Sequence, residues 1–370
     1  MSGEKKHLAI SRQILLEISS GKYRPGSRLP SEAQLVERFQ VSRPTAISAL
    51  RDLQTAGVIE RRVGSGSYVR NTSIISTGLR QIGLLIPGLG ATEIFEVICG
   101  ELASLARVHE YGLLWGASSA IRPDPMNTLQ QAFEVCDQFI SRRVNGVFFA
   151  PFELTADNES ASRQVAEKFR MAGIPVVLLD RDLVPYPARS DFDLISVNNV
   201  LGGYMLAEHL FKLGCKQIAF VVRPNSAPAV DARISGIRES ISRRQIVARP
   251  DWLQKGDPAD ERFVRSLISP RRWDAFICAN DYTAATLIRS LERLKTKVPA
   301  NVRVVGFDDV RYATFVSVPL TTVHQPCREI AMTAFQAMLD RIEDPVMPAR
   351  FLQLNPRLIV RESCGAYASR

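Results

Sequence analysis

Residues 29–69 read LPSEAQLVERFQVSRPTAISALRDLQTAGVIERRVGSGSYV, two short helical patterns followed by two short β-rich runs. The first helix is predicted to begin after Ser31, because Ser31 and Gln34 have the spacing of a capping box. A three-residue link then leads to a second helix that runs to about Thr55, with Ser42 placed to cap it. The stretch therefore predicts two helices joined by a tight turn.

The second helix has an apolar side and a polar side. Its apolar side consists of Ala46, Ala49, Leu50 and Leu53. Its other side consists of Pro44, Ile47, Ser48 and Arg51. A preceding helical pattern completes a three-helix core with Ile10, Ile14, Leu15 and Ile18. A free polar and basic face after a tight turn is typical of a recognition helix in a DNA major groove, although an ordinary bundle with a solvated face has the same pattern.

The two β-rich runs after these helices meet at Gly64-Ser65-Gly66. A phosphate-binding loop follows a strand, begins a helix and carries Lys-Ser/Thr, whereas this loop joins two strands. We therefore predict a β-hairpin wing, whose glycines allow close approach to a sugar-phosphate chain beside Arg61 or Arg62. The alternative is a plain hairpin with a flexible turn.

Residues 8–70 closely resemble the winged helix-turn-helix of the GntR family of transcription regulators. The resemblance implies that Arg43 and Thr45 contact DNA and that the wing lies along the DNA backbone. The family usually has Arg where Ala33 and Ile47 stand, so two customary contacts are absent, and we expect Ile47 to meet a thymine methyl instead. The predicted DNA-binding residues are Ser42, Arg43, Pro44, Thr45, Ile47, Ser48, Arg51, Arg62, Gly64, Ser65 and Gly66.

Charge is distributed unevenly along the 370 residues, whose net charge is +9. Residues 1–70 contain 12 Lys/Arg and 6 Asp/Glu, a net +6, while the rest contain 35 and 32, a net +3. A basic segment attracts polyanions, so nucleic acid is the first partner to consider, although many basic surfaces are only solvated.

The spacing of the cysteines and the hydropathy limit the possible classes of protein. The six cysteines form no C-x-x-C pair, which indicates reduced thiols of a cytoplasmic protein rather than a zinc site or a disulfide framework. No stretch of eighteen apolar residues occurs, so we expect no membrane partner. The four histidines are scattered and neither G-x-S-x-G nor H-E-x-x-H is present, so we predict no catalytic residue, no metal and no cofactor.

Residues 71–80 are polar and rich in Ser and Thr, which predicts a linker. Beyond it, β-rich runs alternate with longer amphipathic stretches: QIGLLIP, YGLLWG, NGVFFAP, IPVVLLD, QIAFVV, WDAFICAN and VRVVGFDD. This alternation predicts an α/β fold with parallel, doubly wound sheets, here in two lobes. The expected domains are a winged helix-turn-helix of class α+β at 1–70, the linker, an effector-binding and dimerisation domain at 81–363 and a tail at 364–370.

The segments ISVNNVLGGYMLAEHLFKLGCKQIAFV, ARISGIRESI, DAFICANDYTAATLIRSLERLKTKVPANVRVVGFDDV and PLTTVHQPCREIAMTAFQAML resemble the effector-binding core of the LacI family. That fold is shared with periplasmic sugar-binding proteins. The resemblance implies two Rossmann-like lobes around a cleft, with the chain crossing between them near Ser196, His324 and Leu352. Two departures, Asn198-Asn199 for Asp-Asn and Cys215 for His, concern local packing.

The resemblance also implies the effector-binding residues Phe95, Asp180, Arg233, Asn280 and Asp308. A carboxylate, a guanidinium and an amide that converge in a cleft suit a ligand with many hydroxyl groups. Each has a simpler alternative: Asp180 caps a loop, for example, or Arg233 pairs with Asp231.

A GntR-type head joined to a LacI-type body resembles the arabinose repressor subgroup. The expected protein is a cytoplasmic, homodimeric repressor that binds double-stranded operator DNA under the control of a small sugar or polyol. An alternative is an enzyme of sugar or nucleotide metabolism that carries a fused DNA-binding head, since doubly wound sheets have many activities. A solute receptor for transport would need an export signal, which the N-terminus lacks.

Overall fold

The structure is a computed structural model, and it describes residues 7, 10–11, 13–14, 17–18, 22–23, 26–55, 58–62, 65–69, 80–86, 93–116, 125–153, 158–270 and 272–367. The chain divides into two compact units, Met1–Leu79 and Arg80–Arg370. Residues 71–79 of the predicted linker lie outside the described residues.

The head unit contains the two predicted helices, α1 (Glu32–Phe39) and α2 (Arg43–Thr55). The capping box is confirmed: the Gln34 amide donates to Ser31 Oγ at 3.3 Å, and the Ser31 amide donates to Gln34 Oε1 at 2.8 Å. Gln40 ends α1 in the left-handed region with φ 51°, which turns the chain toward α2.

The predicted core of the head is confirmed where the structure describes it. Ala46, Ala49, Leu50 and Leu53 of α2 are at most 3% exposed and pack with Leu35, Ile10 and Ile14, while Leu15 lies outside the described residues. Strands β1 (Ile59–Arg62) and β2 (Gly66–Val69) form an antiparallel hairpin, with Arg62 opposite Gly66. The helices and the hairpin are therefore arranged as a winged helix-turn-helix.

The body unit contains two parallel sheets. The larger has the strand order β13-β7-β6-β5-β3-β4, formed by β3 (Arg80–Leu85), β4 (Tyr111–Gly116), β5 (Gly146–Phe149), β6 (Val176–Leu179), β7 (Asp193–Val197) and β13 (Phe351–Leu354). The smaller has the order β11-β10-β8-β9, formed by β8 (Ile218–Val222), β9 (Leu253–Lys255), β10 (Ala275–Cys278) and β11 (Arg303–Val305). A short antiparallel pair is formed by β12 (Thr322–His324) and β14 (Arg357–Ile359).

Helices cover both faces of the larger sheet. They are α3 (Ile94–Val108) and α10 (Cys327–Glu343), which pack together, and α4 (Pro125–Ser141) and α5 (Asn158–Met171), which also pack together. The helices of the second lobe are α6 (Asn199–Lys212), α7 (Ala229–Arg243), α8 (Glu261–Ile268) and α9 (Asp281–Arg293). Because both faces are covered, strands such as β5 and β6 are buried at every residue, as their apolar sequences predict.

All seven predicted strand runs are strands in the structure, but five other strands were not identified from the sequence. These are β7, β9, β12, β13 and β14. Several are only three residues long, and β9 and β13 alternate between exposed and partly buried residues, so they contain no apolar run.

The chain passes between the lobes at the three predicted places. Ser196 lies in β7 just before α6, His324 ends β12, and Leu352 lies in β13 beside β7. The packing does not follow the predicted boundary between the body and the tail, which lay before residue 364. Cys364 is fully buried, and the hydroxyl of Ser363 donates to the Val304 carbonyl at 2.6 Å. The packed body therefore extends into the first predicted tail residue.

Candidate functional site

The outer face of α2 in the head is accessible. Ser42, Arg43, Pro44 and Arg51 are exposed, and Thr45, Ile47 and Ser48 are half-buried. The Ser42 hydroxyl lies 2.8 Å from the Thr45 hydroxyl, which keeps both at the start of the helix. The side chain of Arg43 is 76% exposed, so its guanidinium is accessible to a ligand.

Glu32 of α1 contacts two basic residues, one at the start of α2 and one in the hairpin, and sequence reasoning did not identify Glu32. Arg43 Nε lies 3.4 Å from one Glu32 oxygen, and Arg61 of β1 contacts the other. One carboxylate thus brings the first residue of α2 and the hairpin together. Signals for this pairing are absent from the sequence because the two arginines are far from Glu32 along the chain.

The hairpin contributes glycine at a position that requires it. Gly66 has φ 115°, a region that L side chains rarely adopt. The Ser65 hydroxyl lies 2.7 Å from the Tyr68 hydroxyl and so supports the turn. Gly64 and the side chain of Arg62 lie outside the described residues.

In the body, all five predicted effector residues line one cavity between the lobes: Phe95, Asp180, Arg233, Asn280 and Asp308. Asp180, Asn280 and Asp308 follow strands β6, β10 and β11 at their carboxyl ends, and Phe95 lies in the first turn of α3. The carboxyl ends of parallel strands are where open α/β sheets bind ligands.

Arg233 is held by neutral groups rather than by Asp231. Its Nε donates to Asn199 Oδ1 at 2.8 Å, a second nitrogen donates to the Ala279 carbonyl, and the guanidinium carbon lies 3.7 Å from the Phe307 ring centre. The side chain is buried, and these contacts fix its position in the cavity wall.

Asn280 has a structural partner as well. Its side-chain oxygen caps α9 by accepting from the Thr283 amide at 2.9 Å and from the Thr283 hydroxyl at 2.7 Å. The cap occupies the amide oxygen of Asn280 and orients its NH₂ group, the donor that a hydroxylated ligand would use.

Two carboxylates of the cavity, those of Asp180 and Asp308, are buried in unusual backbone conformations. Asp180 and Asp308 have φ 70° and 123°, values that store strain in non-glycine residues. Burial raises the pKa of both, and that of Asp308 rises to about 7 even though Arg233 lowers it and Gln325 donates to its Oδ1 at 2.7 Å. The oxygen Oδ1 of Asp180 is buried without a hydrogen-bond partner among the described residues.

Sequence reasoning missed three further charged residues in the same wall: Glu153, Arg181 and Arg223. Arg181 is buried, lies over the Phe95 ring and forms a 2.6 Å ion pair with Glu153 Oε2. The cavity that remains measures about 30 Å³, about the volume of one water molecule. The sequence signal for Arg181 is its place directly after Asp180.

We expect Asp308→Asn to change how stability depends on pH. A carboxyl whose folded-state pKa is raised stabilises the fold below its unfolded pKa, and that contribution is lost as pH rises through the folded value near 7. The variant keeps the oxygen that accepts from Gln325 but cannot ionise. As the pH rises from 5 to 8, the free energy of unfolding of the variant should therefore increase by about 1–3 kcal/mol relative to that of the native chain. Urea unfolding at several pH values measures this, and a pH-independent difference would contradict it.

Other site types find no support among the described residues. None of the described helices has both the length and the apolar content that a membrane crossing requires. Likewise, no cluster of three or more His, Cys, Asp or Glu side chains suited to a metal ion occurs in the described part of the chain.

Comparison with known proteins yields matches in both units. Residues 6–69 match the gntR family of bacterial regulatory proteins, and residues 207–364 match the periplasmic binding protein-like domain. The arabinose metabolism transcriptional repressor of Geobacillus stearothermophilus is 25% identical over 97% of both chains. The repressor PurR of Vibrio vulnificus is 29% identical over 60% of this chain, which spans 65% of that relative. A LacI family transcriptional regulator from Enterococcus faecium with bound ribose shares the fold, at TM-score 0.60 and 22% identity over 76% of this chain and 98% of that chain.

Proposed function

We propose that this chain, in which a gntR-type regulatory domain is joined to a periplasmic binding protein-like domain, is a transcriptional repressor whose operator affinity is controlled by a small sugar or polyol. The convergence of Asp180, Arg233, Asn280 and Asp308 in one inter-lobe cavity carries the effector part of the proposal. The similarity to the arabinose repressor over nearly the whole chain supports the DNA-binding part.

DNA recognition is assigned to the exposed face of α2 and to the hairpin. The polar and basic residues at the start of α2 suit base edges in the major groove, and the hairpin suits the sugar-phosphate backbone. Each chain has one recognition helix in its described head, so we propose that a homodimer binds an inverted repeat.

Control by the effector requires that the ligand bind two conformations of the protein with different affinities. A ligand with equal affinity for both would shift nothing, however tightly it bound. The inter-lobe cavity is suited to this role because opening or closing the lobes changes the ligand's contacts with both sides at once. We further propose that the ligand leaves chemically unchanged and that the protein acts in the cytoplasm.

Arg43→Ala should lower the ratio of specific to non-specific DNA affinity about tenfold or more, because a bidentate base contact contributes about 1–3 kcal/mol of discrimination. Gly66→Val should weaken binding to all sequences equally, since a residue with a branched Cβ is strained at φ 115° and would distort the hairpin. Electrophoretic mobility shifts measure both effects, with DNA from the promoter region of the gene that encodes this chain and with unrelated DNA.

Glu37→Ala is the control for these variants, because Glu37 is exposed on α1 and is not among the predicted DNA-binding residues. It should leave both affinities unchanged. If Arg43→Ala keeps the full ratio of specific to non-specific binding, the assignment of the recognition helix is wrong. If the native chain shifts no DNA at all, the proposed function fails.

A further inference from the structure

Some of the charged side chains that line the inter-lobe cavity form ion pairs and others do not. The six are Glu153, Asp180, Arg181, Arg223, Arg233 and Asp308. Arg181 pairs with Glu153. The hydrogen bonds of Arg233 go to neutral acceptors, and Arg223 stacks over Tyr282 at 4.8 Å without an ion pair to any described carboxylate. Two guanidinium groups in the cavity wall therefore have no directly bonded counter-charge among the described residues.

Two adjacent buried atoms in the same wall have no hydrogen-bond partner among the described residues. They are Asp180 Oδ1, which accepts, and Arg181 Nε, which donates. Arg181 Nε lies 3.9 Å from Asp180 Oδ2, close enough for an ion pair but too far for a hydrogen bond, so neither Nε nor Asp180 Oδ1 is satisfied. Their residues are 7% and 4% exposed, so solvent does not compensate for the missing bonds.

A ligand that satisfies both atoms must offer a hydroxyl donor next to an acceptor. For a buried guanidinium the strongest acceptor is an anionic oxygen, which forms a charge-assisted hydrogen bond.

We propose that the ligand of this cavity is an acidic polyol, a sugar that carries a carboxylate or phosphate, and that Arg181 is the residue that selects the acidic group. The inference rests on the proposed function and narrows its ligand class. In the structure Glu153 occupies one side of Arg181, so the ligand's anion competes with Glu153. The cavity of about 30 Å³ shares Asp180, Arg181 and Ala229 with a second cavity of about 280 Å³, so a movement of Arg181 or a separation of the lobes would admit a sugar.

Calorimetric titration of the full chain with matched probes tests the proposal. The probes are L-arabinose against L-arabinonate and D-ribose against D-ribose 5-phosphate, which separate a carboxylate from a phosphate. At least one acid should bind about tenfold or more tightly than its neutral parent. Arg181→Met should weaken that acid about ten- to a hundredfold and leave the neutral parent unchanged.

A second variant should act in the opposite direction. Glu153→Gln removes the competing carboxylate and should strengthen acid binding, a gain that a merely structural role of the ion pair would not produce. Arg244→Met is the matched control, since Arg244 pairs with Glu208 and lies over the Phe211 ring, away from the cavity residues. It should leave acid binding unchanged, and melting temperatures confirm that each variant is folded.

The outcomes separate this inference from the proposed function. Neutral sugars that bind as tightly as their acids, or full acid affinity in Arg181→Met, overturn the inference and leave a sugar-controlled regulator in place. If none of the four probes binds although the native chain shifts DNA, the inference and the sugar-effector part of the proposed function fail together, while DNA binding stands.

Discussion

Gly236→Ala should destabilise the body unit by about 3 kcal/mol, which lowers its melting temperature by roughly 6–12 °C. A Cβ at this position of α7 would lie 1.9 Å from the Val200 carbonyl oxygen and 2.7 Å from the Tyr204 amide nitrogen of α6. Both atoms belong to helix backbone, so they cannot turn away as a flexible side chain would. The helices must separate, and the close packing along their contact is lost.

The same separation should also reach the ligand cavity. Arg233 of α7 donates to Asn199 at the start of α6, so moving the helices apart weakens the bond that positions Arg233. Thermal unfolding followed by circular dichroism measures the loss of stability. Gly100→Ala is the matched control, because Gly100 lies within α3 with nothing within 4 Å of its Cβ position. At position 100 the higher helix propensity of Ala should increase the free energy of unfolding by about 0.5–1 kcal/mol. Equal melting temperatures for the two variants would contradict the close approach of the α6 and α7 backbones at Gly236.

Arg233→Ala should shift the response of DNA binding to roughly ten- to a hundredfold higher ligand concentrations while operator affinity without ligand is unchanged. A charged donor to buried hydroxyl groups contributes about 1.5–3 kcal/mol, so its loss weakens ligand binding roughly ten- to a hundredfold. The variant also leaves the Asn199 side chain and the Ala279 carbonyl without this donor, so some loss of stability is expected. Since the ligand acts only through its different affinities for two conformations, a ligand that binds more weakly shifts them only at correspondingly higher concentration.

Calorimetry with the acidic and neutral sugars, together with operator binding on the same protein, checks this result. Arg238→Ala is the matched control, because Arg238 is an exposed arginine of the same helix that lies near the Trp252 ring instead of the cavity. It should keep ligand binding and the DNA response. Native ligand affinity in Arg233→Ala would refute the assignment of the cavity as the effector site.

The sequence alone determined the secondary structure wherever the signal was local. The capping box at Ser31 and the apolar side of α2 predicted the helices of the head, and seven apolar runs predicted seven of the strands of the body. Local patterns are reliable here because a cap, a helical face or a buried strand depends on residues a few positions apart. Resemblance to known families then pointed to Asp180, Arg233, Asn280 and Asp308, which the fold does bring together.

Only the tertiary structure decided how those residues are paired and charged. Arg181 forms an ion pair with Glu153, and Arg233 donates a hydrogen bond to Asn199 instead of pairing with Asp231. In the head, Glu32 forms ion pairs with two arginines. The raised pKa of Asp308 likewise comes from burial between the lobes. The physical reason is the same in each case: pairing and desolvation depend on groups that are distant in the chain and close in space, and a one-dimensional pattern does not record that proximity.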